Sequence, residues 1–356
     1  MIDLTKLKYD VVVVTKSGEQ INVTDVTSSL GWSEGEKELS AKVTFKIANV
    51  AYKNKQLSEI VQPFTPVFVY ADVGEGSKEV IRGTITKWEL SETNGEFFIN
   101  LEAADEVQAL RKNQDDFYFT DGHSSSAILE EILSKWGVPY RIELDDVKHA
   151  KKVYRKKYLC DMIQDVLKDL KEKGGGVYFV RARNGVVEII QRGKNNTVYH
   201  FDVESNLIRT RESFDVENLV TRVKVVAKSK EEGHQKVEAT IDGKTQYGVR
   251  QVIYERGDKT SLEEAEKAAK KILDEQGDAK RQTSIEAPDI PFVRKGDKIR
   301  VKSSTGEGYF FVKSIRHNAA TMKMTLELDE DKDKNVADGK NYDTARTDES
   351  DSSAPY

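Results

Sequence analysis

The feature that most constrains this chain is a repeat. Laying QPFTPVFVYADVGEGSKEVIRGTITKWEL (residues 62–90) over RKGDKIRVKSSTGEGYFFVKSIRHNAA (residues 294–320) puts Val67 and Val69 on Ile299 and Val301. Gly74-Glu75-Gly76 falls on Gly306-Glu307-Gly308 at the same offset of 232. With two residues removed, Ile85 meets Ile315 and Lys87 meets His317; one more small gap lands FFINLEA (97–103) on KMTLELD (323–329). Both copies read strand, turn, strand, turn, strand, with apolar residues at alternate positions. Self-similarity of this kind marks a duplicated unit, here a piece of β-barrel wall. The paired glycines are expected to serve turns, where positive φ is required. A phosphate cradle needs a helix after the loop, and here a strand follows each copy.

The rest of the pattern arranges itself around the repeat. Residues 1–105 read as a first β-barrel domain. YDVVVV and INVTDV flank a Lys16-Ser17-Gly18 turn, and Ala41, Val43, Phe45 and Ile47 share one face of a half-buried strand. Residues 106–205 change period and form a small α+β domain. Ile128, Leu129, Ile132, Leu133 and Trp136 stripe one helix, and Leu159 to Leu170 stripe a second that stops at Gly174-Gly175-Gly176. Residues 206–330 return to strands as a second barrel domain. One helix interrupts it at about 262–276, opened by the capping box Ser261-Leu262-Glu263-Glu264. Residues 331–356 form an acidic tail with too few apolar groups to offset the entropy of ordering. The fold class is mainly β with an α+β insertion, the two barrels being related by internal duplication.

Composition limits the function classes. A chain of 356 residues suits two or three domains, and its net charge of −5 gives no overall pull toward nucleic acid or acidic lipid. Neither a signal peptide nor a membrane-spanning run is read, so the chain is expected to be made and folded in a cytoplasm. The one cysteine, Cys160, lies in an apolar helical run and reads as a buried structural thiol.

No chemistry stands out. Histidines at 123, 149, 200, 234 and 317 are scattered, without metal-ligand spacing, and His317 reads as a strand-end side chain bonding a neighbouring loop. GHSSS (122–126) lacks the second glycine of a nucleophile elbow and leads into an amphipathic helix, so a serine cap accounts for it. KHAKKVYRKKY (148–158) is the one basic cluster with aromatics, read as a solvated segment leading into a helix. The expectation is no enzyme, with no catalytic, cofactor or metal residues and no cofactor. Two other classes stay open: a peptidoglycan hydrolase with carboxylates in the α+β insertion, and a nucleic-acid-binding channel component using 148–158.

Three stretches carry a family resemblance: LSAKVTFKIANVAY (39–52), SFDVENLVTRVKVVAKS (213–229), and the run from AEKAAKKILDE through GDKIRVKSSTGEGYFFVKSIRHN (265–318). Over residues 1 to about 330 the chain resembles the late control protein D family of contractile-tail baseplate hubs, most nearly the PBSX-type prophage hub. The resemblance implies that both barrels, 1–105 and 206–330, are of the tube type, and that the chain is a homotrimer in which each copy gives the two to a pseudo-sixfold ring. Its partners would be the tail tube protein, the trimeric central spike and other baseplate proteins, with no membrane in the free state. Nucleic acid would at most pass through the bore as cargo. Assembly would follow in the baseplate of a phage tail or bacteriocin-like particle. The first copy carries Phe64-Thr65 where Gly296-Asp297 stands, so that loop is expected to differ.

Overall fold

The structure, a computed structural model, describes residues 3–36, 39–228, 235–304 and 306–331. His234 and the tail over 332–356 lie outside the described residues. In the first copy, β1 (Lys8–Val14) and β2 (Gln20–Asn22) form a hairpin. β3 (Thr27–Glu34) and β4 (Lys42–Ala48) pair antiparallel with a bulge between Ser28 and Gly31. The small hairpin β5 (Ala51–Tyr52) and β6 (Lys55–Gln56) leads into the one-turn helix α1 (Leu57–Ile60). β7 (Pro66–Asp72), β8 (Lys78–Thr93) and β9 (Glu96–Ala104) make an antiparallel meander. Asn94 and Gly95, at φ 54° and 83°, close its second turn as a two-residue hairpin of the I′ kind requires.

The strands run in the order β2-β1-β7-β8-β9-β4-β3. Val11, Val13, Val43, Phe45, Ile47, Val67, Val69, Ile85, Ile99 and Leu101 face one core. Laid flat, β1 and β3 would stand about 24 Å apart at the usual strand spacing. Instead the rings of Tyr9 on β1 and Trp32 on β3 meet edge to face at 5.5 Å. The sheet therefore curls round its apolar side chains.

The insertion holds α2 (Val107–Lys112), β10 (Gln114–Phe119), α3 (Ser125–Lys135), β11 (Tyr140–Ile142), β12 (Lys152–Tyr158), α4 (Leu159–Glu172), β13 (Tyr178–Arg183) and β14 (Val186–Gln191). β10 pairs with β12, and β13 and β11 flank β14. The apolar stripes of α3 and α4 bury Ile128, Leu129, Ile132, Leu133, Met162, Ile163 and Val166 against Phe117, Phe119, Val180 and Ile189.

Two strands follow, β15 (Tyr199–Asp202) and β16 (Arg209–Asp215). Residues Arg211–Thr283 make a compact unit separate from the rest. Within it, β17 (Arg222–Ala227) pairs antiparallel with β18 (Val237–Asp242) and parallel with β19 (Gln251–Arg256). The strands TRVKVVAKS, QKVEATI and RQVIYER thus pair with one another. The helix α5 (Leu262–Gln276), capped by Ser261 and Glu264, lays Ala265 and Ala269 against Val223 and Val225. The chain then resumes with β20 (Lys280–Pro288), β21 (Lys298–Ser303), β22 (Gly306–Asn318) and β23 (Lys323–Glu330).

The second copy takes the order β15-β21-β22-β23-β20-β16, which matches β1-β7-β8-β9-β4-β3 strand for strand in chain order. The ladders fix the equivalence. Pro66 pairs with Thr84 and Lys298 with Phe311; beyond, a bulge falls between Ile85 and Lys87 and again between Val312 and Ser314. Phe64 N donates to Ile85 O, as Gly296 N donates to Val312 O. One difference stands at the edge: β1 is antiparallel to β7, whereas β15 is parallel to β21.

This corrects the sequence alignment in four places. Ile85 corresponds to Val312, not Ile315, and His317 corresponds to Leu90, not Lys87. The first hairpin closes at Ala71–Lys78 in one copy and at Ser303–Gly306 in the other, and an extra bulge sits at Val69–Tyr70. Those differences remove five residues rather than two. Gly74 and Gly76 do turn work at φ 90° and 93°, but Gly306 and Gly308 lie within β22. FFINLEA slips by one, so that Leu101 meets Leu326; a one-residue slip would have turned every side chain to the wrong face. Finally, Phe64 shares the positive φ of Gly296, 70° against 89°, so the two loops are alike.

Candidate functional site

The two copies are stitched where β22 pairs with β3: Ile315 opposite Glu34, Arg316 opposite Ser33, His317 opposite Trp32 and Asn318 opposite Gly31. Gly31 is required by this approach, since a Cβ there would stand 2.7 Å from the carbonyl oxygen of His317. The His317 ring stacks on Trp32 at 4.5 Å. Its Nδ1 is 2.6 Å from Asp289 Oδ1 and its Nε2 is 3.1 Å from Val293 O. Tyr9 donates its hydroxyl to Asp289 Oδ2 at 2.7 Å, and burial followed by the Asp289 charge pushes that phenol well above its ordinary pKa. An Asp–His pair is polarised chemistry in the right setting. Here both side chains are wholly buried and every polar atom has a structural partner, so the cluster holds the stitch closed.

Next to it lies a buried charged cluster drawn from both copies and the insertion. Arg294 grips the Glu34 carboxylate with Nε and, at 3.1 Å, Nη2, and donates to Ala182 O at 3.0 Å. Arg181 reaches Asp297 at 3.1 Å and Glu188 at 3.5 Å. Lys295 Nζ donates to Gly35 O at 3.3 Å. Burial pushes the Glu34 carboxyl up, but the charge and bonds of Arg294 outweigh it and hold the group ionised. Burial pulls Lys295 down and pushes Asp297 up, in each case against oppositely charged neighbours. Asp105, bonded by Ser40 at 2.7 Å, is raised to about 7, chiefly by burial. Its Oδ2 and the Oε2 of Glu106 have no protein partner, and both residues line a cavity of about 30 Å³ with Arg183 and Arg294. That is room for a single water.

A third constellation lies in the insertion. Ser125 Oγ is 2.7 Å from His149 Nε2, and His149 Nδ1 is 2.5 Å from Asp169 Oδ2. These are the contacts of a Ser-His-Asp triad. The hydroxyl, however, is fully buried at the first turn of α3. The donors that could form an oxyanion hole are spent: Ser125 N on Val147 O, Ser126 N on Asp146, Ala127 N on the capping Ser124. Asp169 is drawn down to about 2; burial works against this, while the His149 bond and the Lys173 and Lys152 ammonium groups prevail. The triad ties α3, α4 and the 147–149 segment together and offers a substrate no approach.

Ser124 caps α3, as GHSSS suggested. The basic stretch 148–158 is largely a strand, β12, with Val153 and Tyr158 exposed and Lys152 held by Asp165. Cys160 is half-buried, its thiol pushed up to about 11 by burial and by Asp161. His123 bonds Thr120 O locally and His200 is exposed. Among the described residues no group of acids, histidines and cysteine could hold a metal, and no helix is long and apolar enough to cross a membrane. Sequence reading missed the Arg294–Glu34 pair because its partners lie 260 residues apart. It missed the triad because Ser125, His149 and Asp169, though only 20 to 24 positions apart, sit on separate elements at spacings no motif marks. The only local signal was four successive residues, Arg294 to Asp297, interrupting an apolar pattern.

Known proteins can now be set beside this geometry. A family profile described as YQBQ-like matches residues 30–329, from within β3 to the last residues of β23, taking in the insertion and the 211–283 unit. The chain belongs to the YQBQ-like family. No curated protein matches it in sequence. Among solved structures, the 43 kDa tail protein of prophage MuSo2 from Shewanella oneidensis aligns at TM-score 0.65 and 12% identity, over 90% of this chain and 98% of that one. The tail protein from Neisseria meningitidis MC58 aligns at 0.65 and 14%, over 91% and 97%. The E. coli c3393 protein is described as a type VI secretion component similar to the T4 tail proteins gp27 and gp5. It aligns at 0.53 and 9%, over 91% and 76%. This YQBQ-like chain therefore has the mainly β fold of phage-tail and injection-system proteins.

Proposed function

We propose that the chain is a structural baseplate hub of a contractile tail or bacteriocin-like particle. Three copies form a ring of six barrels that adapts a sixfold tube to a trimeric spike. The observation that carries this is the duplication: six strands in the same order twice, with the same bulge in the equivalent ladder. A chain with two like units lets threefold assembly imitate sixfold geometry, through head-to-tail contacts that close a ring. The tail proteins that share the fold along nearly their whole length support this reading. The role is mechanical: the ring seats the spike, its bore continues the tube, and other baseplate proteins bind outside. The polar clusters are read as joints, with no catalytic, cofactor or metal residue among them. Native mass measurement of the chain, alone and with a trimeric tail-spike protein, tests the reading. A trimer is expected, and a chain monomeric in both conditions overturns it. The hydrolase alternative has one observation on its side, the Ser125–His149–Asp169 contacts. Clearing of peptidoglycan in a zymogram that is lost in Ser125→Ala would favour it.

A further inference from the structure

The insertion and the second copy leave between them a cleft of about 320 Å³. Gln164, Leu167, Lys168 and Lys171 form one wall, a stripe spaced three and four residues apart on α4 beside its buried Met162, Ile163 and Val166. Phe311 and Lys313 of β22 and Asp329 of β23 line it from the other copy, and Phe179 of β13 lies between. Five cations and two acids line the cleft. Both acids are taken: Arg192 Nη1 holds Asp329 at 2.6 Å and Lys313 Nζ holds Glu36 at 3.2 Å. Lys168 and Lys171 are exposed and pair with no acid among the described residues. Lys295 is 1% exposed, and its ammonium, with three donors, makes only the long bonds to Gly35 O at 3.3 Å and Leu39 O at 3.5 Å. Three ammonium groups without a bonded acid, set beside a phenylalanine and a leucine, suit an acidic stretch of chain that also carries an aromatic side chain.

The chain itself supplies such a stretch. Asp329 stands on the cleft wall, and two residues later Asp331 is the last described residue. Its N–H donates to Tyr309 O at 2.9 Å and its carboxylate pairs with Lys298 at 2.8 Å. Residues 332–356 follow. Tyr342 comes eleven positions after Asp331, a reach of up to about 36 Å, ample to fold back onto the wall from which the chain leaves. From Asn341 to Tyr356 the sequence carries four acids, Asp343, Asp348, Glu349 and Asp351, against the single Arg346. A short tether presents its own segment at about millimolar concentration, so a Kd of only about 0.1 mM makes docking about nine-tenths complete.

We propose that this cleft holds the chain's own C-terminal segment, with the Tyr342 ring against Phe179 and Leu167 and the acids from Asp343 onward against Lys168, Lys171 and Lys295. The segment then ties α4 of the insertion to β22 and β23 of the second copy. An acidic stretch of other origin has to compete with one that the tether keeps at hand. The docking is a property of the single chain and does not depend on the ring reading above.

The test uses the full chain with Cys160→Ser, carrying Gln164→Cys on the cleft wall and Thr344→Cys beside Asp343, treated with a short bis-maleimide. A link within one chain is expected, read by peptide mapping. Lys168→Glu with Lys171→Glu is expected to weaken docking about tenfold, which lowers the docked fraction from about nine-tenths to about half and the initial linking rate with it. Both lysines are exposed, and an unchanged melting temperature checks that the fold is kept. A peptide copying residues 341–351, added at about 1 mM, is expected to slow the link about twofold by the same arithmetic. A polyglutamate peptide of equal length that slows it as much makes the cleft a general acceptor of acidic chains and overturns the assignment to this segment. No link, a link only between chains, or a rate indifferent to the lysine reversal overturns the docking.

Discussion

Replacing Arg294 with methionine tests the charged cluster most directly. The substitution keeps volume and stem but removes a guanidinium with 5% exposure that makes two bonds to Glu34, itself 2% exposed, and one to Ala182 O. A buried charge stripped of its partner typically costs about 3–5 kcal/mol. Lys295 and Arg181 still act on Glu34, so the lower end, about 3 kcal/mol, is expected. In urea that is a fall of about 1 M in midpoint if the slope is about 3 kcal/mol/M. Glu34→Leu alone should cost a similar amount by orphaning Arg294. The double substitution should not sum the two, because a buried ion pair replaced by apolar residues is often close to neutral. A double-mutant cycle read by tryptophan fluorescence, with Trp32 in the adjoining core, should give a coupling of about 2 kcal/mol or more. Additive losses, with a coupling near zero, would refute the claim that the two charges are desolvated together.

Asp105 gives a pH signature. Its folded pKa of about 7 lies above its ordinary 3.8, so the folded state holds the proton more tightly. Its contribution, on the order of 4 kcal/mol, is complete below pH about 4 and lost as pH rises through about 7. Unfolding midpoints should fall from about pH 4 to about pH 7 and level off above, and Asp105→Asn should flatten that fall; an unchanged profile would contradict it. Gly31→Ala should push β3 off β22 and cost about 1–3 kcal/mol, measured as a lower melting temperature. A neutral result would mean that the backbone gives way freely there.

Local structure was largely legible. The stripes of α3, α4 and α5, the Ser261–Glu264 box, the alternation of β4, and the turns at Asn94-Gly95 and Asn184-Gly185 were all readable, because each depends on side chains a few residues apart. The duplication was legible as well, yet its most visible token misled. Gly-Glu-Gly recurs in a turn once and in a strand once, while the true match runs through Ile85 and Val312 at their bulges. A bulge leaves no mark in composition. Alternation also does not say which sheet a strand joins, so the separate pairing of β17, β18 and β19 was hidden. The stitch and the charged cluster bring together residues some 260 positions apart, and only the folded chain does that.

The connection between β3 and β4 is a short loop, whereas the matching connection from β16 to β20 carries some sixty residues with a helix and three strands of their own. A lone ancestral barrel that assembled six times over would have to wear any such ornament at every station. Fusing two barrels into one polypeptide frees one of them to diverge, so in the ring proposed above the decoration would recur only at alternate stations, between plain barrels.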